Sequence, residues 1–348
     1  MKANGPDAAH GTPMGRRYLL RLLMTLPLLP AVAWCAAALW FDGPRAQWAA
    51  GSLSAVFVLG CLALLCRLRP YRRALLAVLA AFAAVLGWWL TIPPGNDRDW
   101  QPEVARPATF SVAGNRLTVQ NLRNFDYLSE TDFTEHWESR GYDLEQLRGV
   151  DIFLCFWGPT AIAHTIASWE FGDGSHLAIS IETRKEKGES YSAVRGFFRQ
   201  FEVYYVVADE RDVVRLRTNY RGEQLYLYRI RMSPAQAREL LLDYAAEVNR
   251  LARHPRWYNA LTHNCTTAIR YHLKNLKRAQ QFDWRILANG RVDELMYERG
   301  HLDSRLPLAE LRRRSDITGL ARAADGDAAF AARIREGLPD RPIAPESR

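Results

Sequence analysis

Three long apolar runs open the chain and predict three membrane-spanning helices. They extend from Leu22 to Phe41, from Trp48 to Leu65 and from Ala74 to Ile92. Each run carries almost no charge over about 20 residues, which is the length a helix needs to cross the hydrocarbon core of a bilayer. A single buried helical bundle is the alternative, and the near absence of charge along all three runs argues against it.

Clusters of arginine flank these runs and set the expected orientation. One cluster precedes the first run (16–21), and another separates the second run from the third (67–73). Because positively charged loops stay on the cytoplasmic side, the N-terminus and the second loop are expected in the cytoplasm. Everything after Pro94 is then expected outside.

After Pro94 the pattern changes to short segments typical of strands. A hairpin is predicted over 109–119, and further strands over 152–157, 162–171, 176–184, 204–208 and 224–231. Residues 126–151 are acidic and are expected to be irregular. The charged run Glu210–Asp212 is expected to be a solvated turn.

The clearest helix of the external part covers 233–253. Ser233 is a suitable N-cap, Pro234 suits the first helical position, and Gln236 completes a capping-box spacing. Strands and helices together predict an α+β domain with an antiparallel sheet. The expected division is a cytoplasmic disordered tail (1–15), three transmembrane helices (16–93), the external domain (94–338) and a flexible tail (339–348).

The net charge of +8 belongs almost entirely to the membrane-flanking part. Residues 1–96 contain nine Lys or Arg against two Asp or Glu, whereas the rest contains 37 against 36. The nearly neutral external part argues against a basic nucleic-acid-binding domain. The histidines are scattered without metal-ligand spacing, so neither a metal nor a cofactor is expected.

Cys265 is the candidate nucleophile. Cys35, Cys61 and Cys66 lie in the apolar runs, where cysteine usually serves as a small hydrophobic residue. Cys265 instead stands in the first turn of a predicted helix, where unpaired backbone N–H groups and the helix dipole favour a thiolate. A disulfide with Cys155 is the alternative, and it would remove the free thiol.

His164 is the candidate base, and Glu182 is the residue expected to orient it. If the hairpin turns at Gly172–Gly174, Trp169 faces Leu177 on a largely apolar side. His164 then lies opposite Glu182 on the other side, and a slip of one residue would mix polar and apolar residues on both. A carboxylate behind an imidazole fixes its tautomer and stabilises the imidazolium.

Two other histidines compete with this assignment. His176 also lies in a predicted strand and is a rival base, whereas His263 precedes Cys265 closely and is accounted for as a turn residue. Single cysteines and histidines are more often structural than catalytic. The residues alone therefore leave a thiol enzyme as one interpretation among several.

The stretch 96–339 resembles the Lnb N-terminal periplasmic domain family. The matching motifs are Asn121–Tyr127, Trp157–Gly158, Ala163–Thr165, Ile179–Arg184, Asp209–Asp212, Leu216–Thr218, Trp257–Asn259, Asn264–Thr267, Asp283–Arg285 and Asn289–Gly290. The resemblance implies a papain-like, permuted NlpC-type fold in which a strand histidine precedes a cysteine at a helix start. It implies Cys265 as nucleophile and His164 as base.

The resemblance also implies a function. The naming enzyme of the family is a bacterial lipoprotein N-acyltransferase, so a phospholipid or lipoprotein substrate at the inner membrane is expected, with the domain facing the periplasm. In those enzymes the membrane spans follow the domain, whereas here three precede it. A periplasmic cysteine hydrolase of cell-wall or lipid substrates and a catalytically inactive binding module remain the alternatives.

Overall fold

The computed structural model describes residues 19, 21–158, 161–260, 262, 267–269, 271–272, 283–286 and 289–343. The chain divides into two compact units. The first comprises residues up to Pro93 together with Phe198–Gln200, and the second comprises the rest.

The first unit consists of apolar helices, as the sequence predicts. These are α1 (Leu28–Phe41), α2 (Gln47–Arg67) and α3 (Tyr71–Thr91). Three stretches, Arg21–Phe41, Gln47–Arg67 and Tyr71–Thr91, are long and apolar enough to cross a membrane. Helices α1 and α2 touch closely, because the hydroxyl of Ser54 donates to the carbonyl of Ala36 at 2.8 Å.

The second unit alternates strands and helices. Its strands are β1 (Thr109–Ala113), β2 (Arg116–Arg123), β3 (Asp126–Tyr127), β4 (Phe133–Thr134), β5 (Trp137–Asp143), β6 (Leu147–Phe156), β7 (His164–Phe171), β8 (His176–Arg184), β9 (Glu202–Ala208) and β10 (Gln224–Arg229). Its helices are α4 (Glu210–Arg215), α5 (Pro234–Arg253), α6 (Val292–Glu298), α7 (Leu308–Ser315), α8 (Thr318–Ala323) and α9 (Phe330–Arg333). The α+β class is confirmed.

The main sheet has the order β1-β2-β9-β8-β7-β6-β10, with β5 paired to β2. Its pairs are antiparallel except for β2 with β9, which run parallel. The sheet is therefore mixed: the predicted antiparallel pairing holds throughout except at this one parallel pair. The cause is the chain path, since β2 belongs to a separate hairpin that meets the central strands through one parallel pair at Arg123 and Ala208.

The two faces of the sheet have different cores. On one face Trp169, Leu177 and Ile179 pack against α5. On the other face Phe153, Ile166 and residues of β9 pack against α4, α8 and α9. Helix α5 begins as predicted: Ser233 accepts from the backbone of Gln236, whose side chain accepts from the backbone of Ser233.

Residues 126–151 are not irregular, contrary to the sequence prediction. They contain β3, β4, β5 and the start of β6. Within β5 only Tyr142 is buried. A strand with one solvated face and charged residues along it lacks the apolar alternation that marks a strand, so its sequence does not reveal it.

The run Glu210–Asp212 is also not a solvated turn. It begins α4, and both Glu210 and Asp212 are completely buried. Asp212 accepts from the Nε of Arg123 at 3.0 Å and from another nitrogen of the same guanidinium at 2.7 Å. A buried charge requires such a partner, and this one comes from 89 residues earlier in the chain.

Arg335 anchors the C-terminal segment to the interior of the sheet. Its guanidinium lies 2.8 Å from Asp151 and 2.7 Å from Glu210, and both carboxylates are completely buried. Burial opposes their ionisation, but the guanidinium outweighs it and holds the pKa of each carboxyl below its usual range. Arg341, within the segment predicted as a flexible tail, also lies 2.7 Å from Asp151.

Replacing Arg335 with alanine is expected to cost about 3–5 kcal/mol of unfolding free energy, because it leaves the Glu210 carboxylate buried without its cation. The measurement is urea denaturation at pH 7. Arg333→Ala is the matched control, since Arg333 is the last residue of α9, two positions before Arg335, and its partner Glu336 is exposed. Equal losses in the two variants would contradict the burial argument.

Candidate active site

His164 is the first residue of β7 and lies where the strand begins. It lies opposite Cys155 of the neighbouring strand β6. The β7–β8 register is the predicted one, with Trp169 opposite Leu177 and Glu170 opposite His176. The Nε2 atom of His164 lies 3.2 Å from Oε1 of Glu182. The structure therefore brings these two predicted site residues together.

Ser180 lies between them. Its hydroxyl donates to Oε1 of Glu182 at 2.7 Å and contacts Nε2 of His164 at the same distance. A hydroxyl has one proton, so Ser180 accepts from Nε2–H when it donates to Glu182. This network favours the Nε2–H tautomer of the neutral imidazole, in which Nδ1 carries no proton and is able to accept one.

Arg217 holds the carboxylate in place from the other side. Its guanidinium donates to Oε1 of Glu182 at 2.7 Å and to both oxygens of Glu223. Arg217 is buried and lies in a π-helical turn, Leu216–Tyr220. Burial opposes ionisation of Glu182, but His164 and Arg217 outweigh it and hold the pKa of that carboxyl well below its usual range. The imidazole of His164 therefore faces a carboxylate that is ionised at neutral pH.

Asn289 positions the residue immediately before His164. Its side-chain oxygen accepts from the backbone N–H of Ala163 at 2.9 Å, and the N–H of Gly290 donates to the carbonyl of Ala161 at 3.1 Å. Asn289 is buried. Two hydrogen bonds therefore fix the chain as it enters β7. The distant segment Asn289–Gly290 thus holds the backbone immediately before His164.

Asn289→Ala is expected to lose about 1–3 kcal/mol of stability, the cost of leaving a buried N–H unsatisfied, and to slow any reaction that depends on His164. The measurements are chemical denaturation and the acylation assay described below. Asn249→Ala is the control, because Asn249 makes similar bonds to the backbone of Phe110 away from the site. It should lose stability with an unchanged rate; a parallel fall in rate would refute the positioning role.

Cys265 and His263 lie outside the described residues. Beyond Cys265, Ala268 and Ile269 pack against the core on the α5 face. His272 is completely buried there; its Nδ1 lies 2.6 Å from Asp243, and its Nε2 lies 2.9 Å from the hydroxyl of Tyr205. Burial lowers the pKa of His272. This neutral imidazole fixes the segment after the cysteine to α5 and β9.

Cys155 and His176, the other candidate cysteine and histidine, lie outside the His164–Glu182 network. Cys155 is a free and completely buried thiol whose pKa is raised by burial. His176 stands at the turn end of the hairpin, about 20 Å along β7 from His164 at about 3.3 Å per residue. It has no link to the Glu182 network.

Sequence reasoning missed Ser180, Arg217 and His272. Ser180 had a readable signal, since it lies two residues before Glu182 and therefore on the same face of the strand. Arg217 lies within the Leu216–Thr218 motif, but nothing in the sequence indicates its partner. His272 had no signal, because its partners are set by packing between distant segments. Among the described residues, no three His, Cys, Asp or Glu side chains are grouped so that they could hold a metal ion.

Comparison with known families decides the relationship. Residues 133–290 match the family model described as the Lnb N-terminal periplasmic domain. This segment, somewhat less than half of the chain, is similar to that family. The comparisons with curated proteins and with solved structures gave no match.

The similarity to a periplasmic domain, together with the three apolar helices, indicates a membrane-associated chain with a periplasmic domain. Several of the segments in which the sequence resembles this family are far apart along the chain but meet in space. The Ile179–Arg184 motif supplies Glu182, and the Leu216–Thr218 motif supplies Arg217, which binds it. The Asn289–Gly290 motif supports the Ala163–Thr165 motif that contains His164.

Proposed function

We propose that this protein is a periplasmic thiol acyltransferase, anchored by three helices in the bacterial inner membrane, that acts on lipid-linked substrates. Cys265 is the nucleophile and His164 is the base. Glu182 orients the imidazole of His164 and stabilises its protonated form. The observation that carries the proposal is the contact of His164 with Ser180 and Glu182 in a domain of this family. Lipoprotein N-acylation is the reaction that the family name favours.

The proposed reaction has two steps. His164 takes the proton of the thiol, and the sulfur attacks the carbonyl carbon of an acyl ester. The ester C–O bond breaks, and the imidazolium gives its proton to the leaving alcohol, which leaves a thioester on Cys265. An amine then attacks the thioester carbonyl and loses a proton to His164; the C–S bond breaks, and the imidazolium returns that proton to the sulfur of Cys265.

The position of His164 supports this use. It is the first residue of β7 and therefore lies at an end of the strand rather than in the middle of the sheet. The Glu182 carboxylate, kept ionised by Arg217, stabilises the imidazolium that the first step creates. Nothing in this mechanism requires a metal ion or an organic cofactor.

The test is covalent labelling of the full-length protein in isolated membranes. A phospholipid or lipopeptide probe with a tagged acyl chain is added, and the peptide that contains residue 265 is analysed by mass spectrometry. An acyl thioester on Cys265, absent in Cys265→Ser and released by hydroxylamine, is the expected result. Appearance of free fatty acid with no acylated amine would instead identify the hydrolase, and an unmodified thiol with no turnover would identify the binding module.

A further inference from the structure

The helices of the first unit carry a groove that the proposed reaction does not use. It has a volume of about 600 Å³ and opens between the ends of α1, α2 and α3. Its wall is mainly apolar and includes Leu39, Leu53, Ala84, Val85 and Trp88, with Asp42 at one end. In the orientation predicted from the arginine clusters, this end is periplasmic.

The polar end of the groove is organised around Asp42. Its carboxylate accepts from the indole N–H of Trp89 at 2.7 Å, from the side chain of Gln200 at 2.7 Å and from the backbone N–H of Arg199 at 3.2 Å. The negative charge of Asp42 is therefore compensated by three donors. Asp42 lines the groove, and Arg199 lies next to it, since the backbone N–H of Arg199 donates to the Asp42 carboxylate.

The guanidinium of Arg199 retains unused hydrogen-bonding capacity. It stacks over the ring of Trp89 at 4.3 Å, and one terminal nitrogen donates to the carbonyl of Ile92. Its buried Nε has no hydrogen-bond partner among the described residues. A buried donor without an acceptor is costly, so an acceptor from outside the described residues would stabilise this atom.

We propose that this groove binds one glycerophospholipid of the periplasmic leaflet, with an acyl chain along the apolar wall and the phosphate on Arg199. Charge and polarity both match this occupant. Guanidinium donors suit phosphate oxygens, and tryptophan and arginine side chains at helix ends meet lipid headgroups. The volume lies within the usual range of small-molecule sites. Binding does not depend on the proposed transfer reaction, although a lipid held here would be a suitable acyl donor.

The experiment measures occupancy rather than catalysis. The full-length protein is reconstituted in vesicles of phosphatidylethanolamine and phosphatidylglycerol that contain a trace phospholipid with a photoreactive acyl chain. After irradiation, labelled peptides are mapped. Ala84→Phe fills the groove and should reduce labelling of its walls about tenfold, which corresponds to about 1.4 kcal/mol of binding.

The control variant lies one residue away. Ala83 is equally exposed on α3 but does not line the groove, so Ala83→Phe should label as the wild type does. Equal labelling of Ala84→Phe and Ala83→Phe would show only the general lipid shell of the helices and overturn the proposal.

The phosphate contact is tested separately. Arg199→Gln should weaken labelling by the phospholipid probe but not by a photoreactive diacylglycerol, and Arg199→Lys should restore part of it. If the two probes label wild type and Arg199→Gln alike, the phosphate assignment is wrong. Because labelling does not involve Cys265, failure of this proposal and failure of the proposed acyltransferase are separable results.

Discussion

Replacing His164 with alanine is expected to slow acylation of Cys265 by about 10³-fold, since a positioned general acid–base contributes about 10²–10⁴ in rate. Without the imidazole, only thiol that is already ionised can react, and the leaving alcohol receives no proton. The measurement is the initial rate of thioester formation at pH 7 with the tagged lipid probe. Fold is monitored by denaturation, because His164 is buried.

The pH profile separates a catalytic from a structural role. In His164→Ala the remaining rate should rise about tenfold per pH unit up to about pH 8.5, where a free thiol ionises. His176→Ala is the matched control, since His176 is the other strand histidine of the same hairpin and is equally buried. A rate that is unchanged in His164→Ala, or that falls equally in both variants, would remove His164 from the mechanism.

The sequence was sufficient for features that depend on local pattern. The β7–β8 register follows from one apolar side, with Trp169 and Leu177, and one polar side, with His164 and Glu182. A shift by one residue would bury charges and expose apolar side chains. The start of α5 at Ser233 is equally local, because its capping box lies within four residues.

Features set by contacts between distant segments could not be predicted. Glu210 belongs to a charged run, and only Arg335, 125 residues later, makes its burial possible. The same holds for Arg217, whose π-helical turn brings it to Glu182. Charged residues are read from sequence as solvated, and the partner that allows burial is a property of the tertiary structure.

The site was predicted in the same uneven way. His164 and Glu182 lie on one hairpin, so their proximity could be inferred from the sequence. The residues that support this pair come from three other segments. Asn289 holds the entry to β7, and His272 fixes the segment beyond Cys265 to α5. Such supports determine whether two side chains stay within hydrogen-bonding distance, so variants of these residues test the site as directly as variants of the pair.

Glu182→Gln is expected to slow acylation of Cys265 by about 10–100-fold, because each 1.4 kcal/mol of lost imidazolium stabilisation is a factor of ten. The glutamine amide can still accept from Ser180 and Arg217, but the negative charge that faces His164 is gone. Glu223→Gln is the matched control. Glu223 is buried and binds the same guanidinium, but of the two carboxylates it is Glu182 that contacts His164.

Stability provides the second measurement for this pair. The pKa of Glu182 is depressed in the folded state. As the pH falls below about 4.5, the folded chain therefore binds fewer protons at this residue than the unfolded chain does. The stability contributed by Glu182 is therefore fully present above that pH and is lost below it. Glu182→Gln should cost about 1.5–3 kcal/mol at pH 7, and the difference from wild type should shrink in denaturation experiments as pH decreases from 4.5. If Glu223→Gln slowed acylation as strongly as Glu182→Gln, the effect would belong to Arg217 and general packing rather than to the charge beside His164.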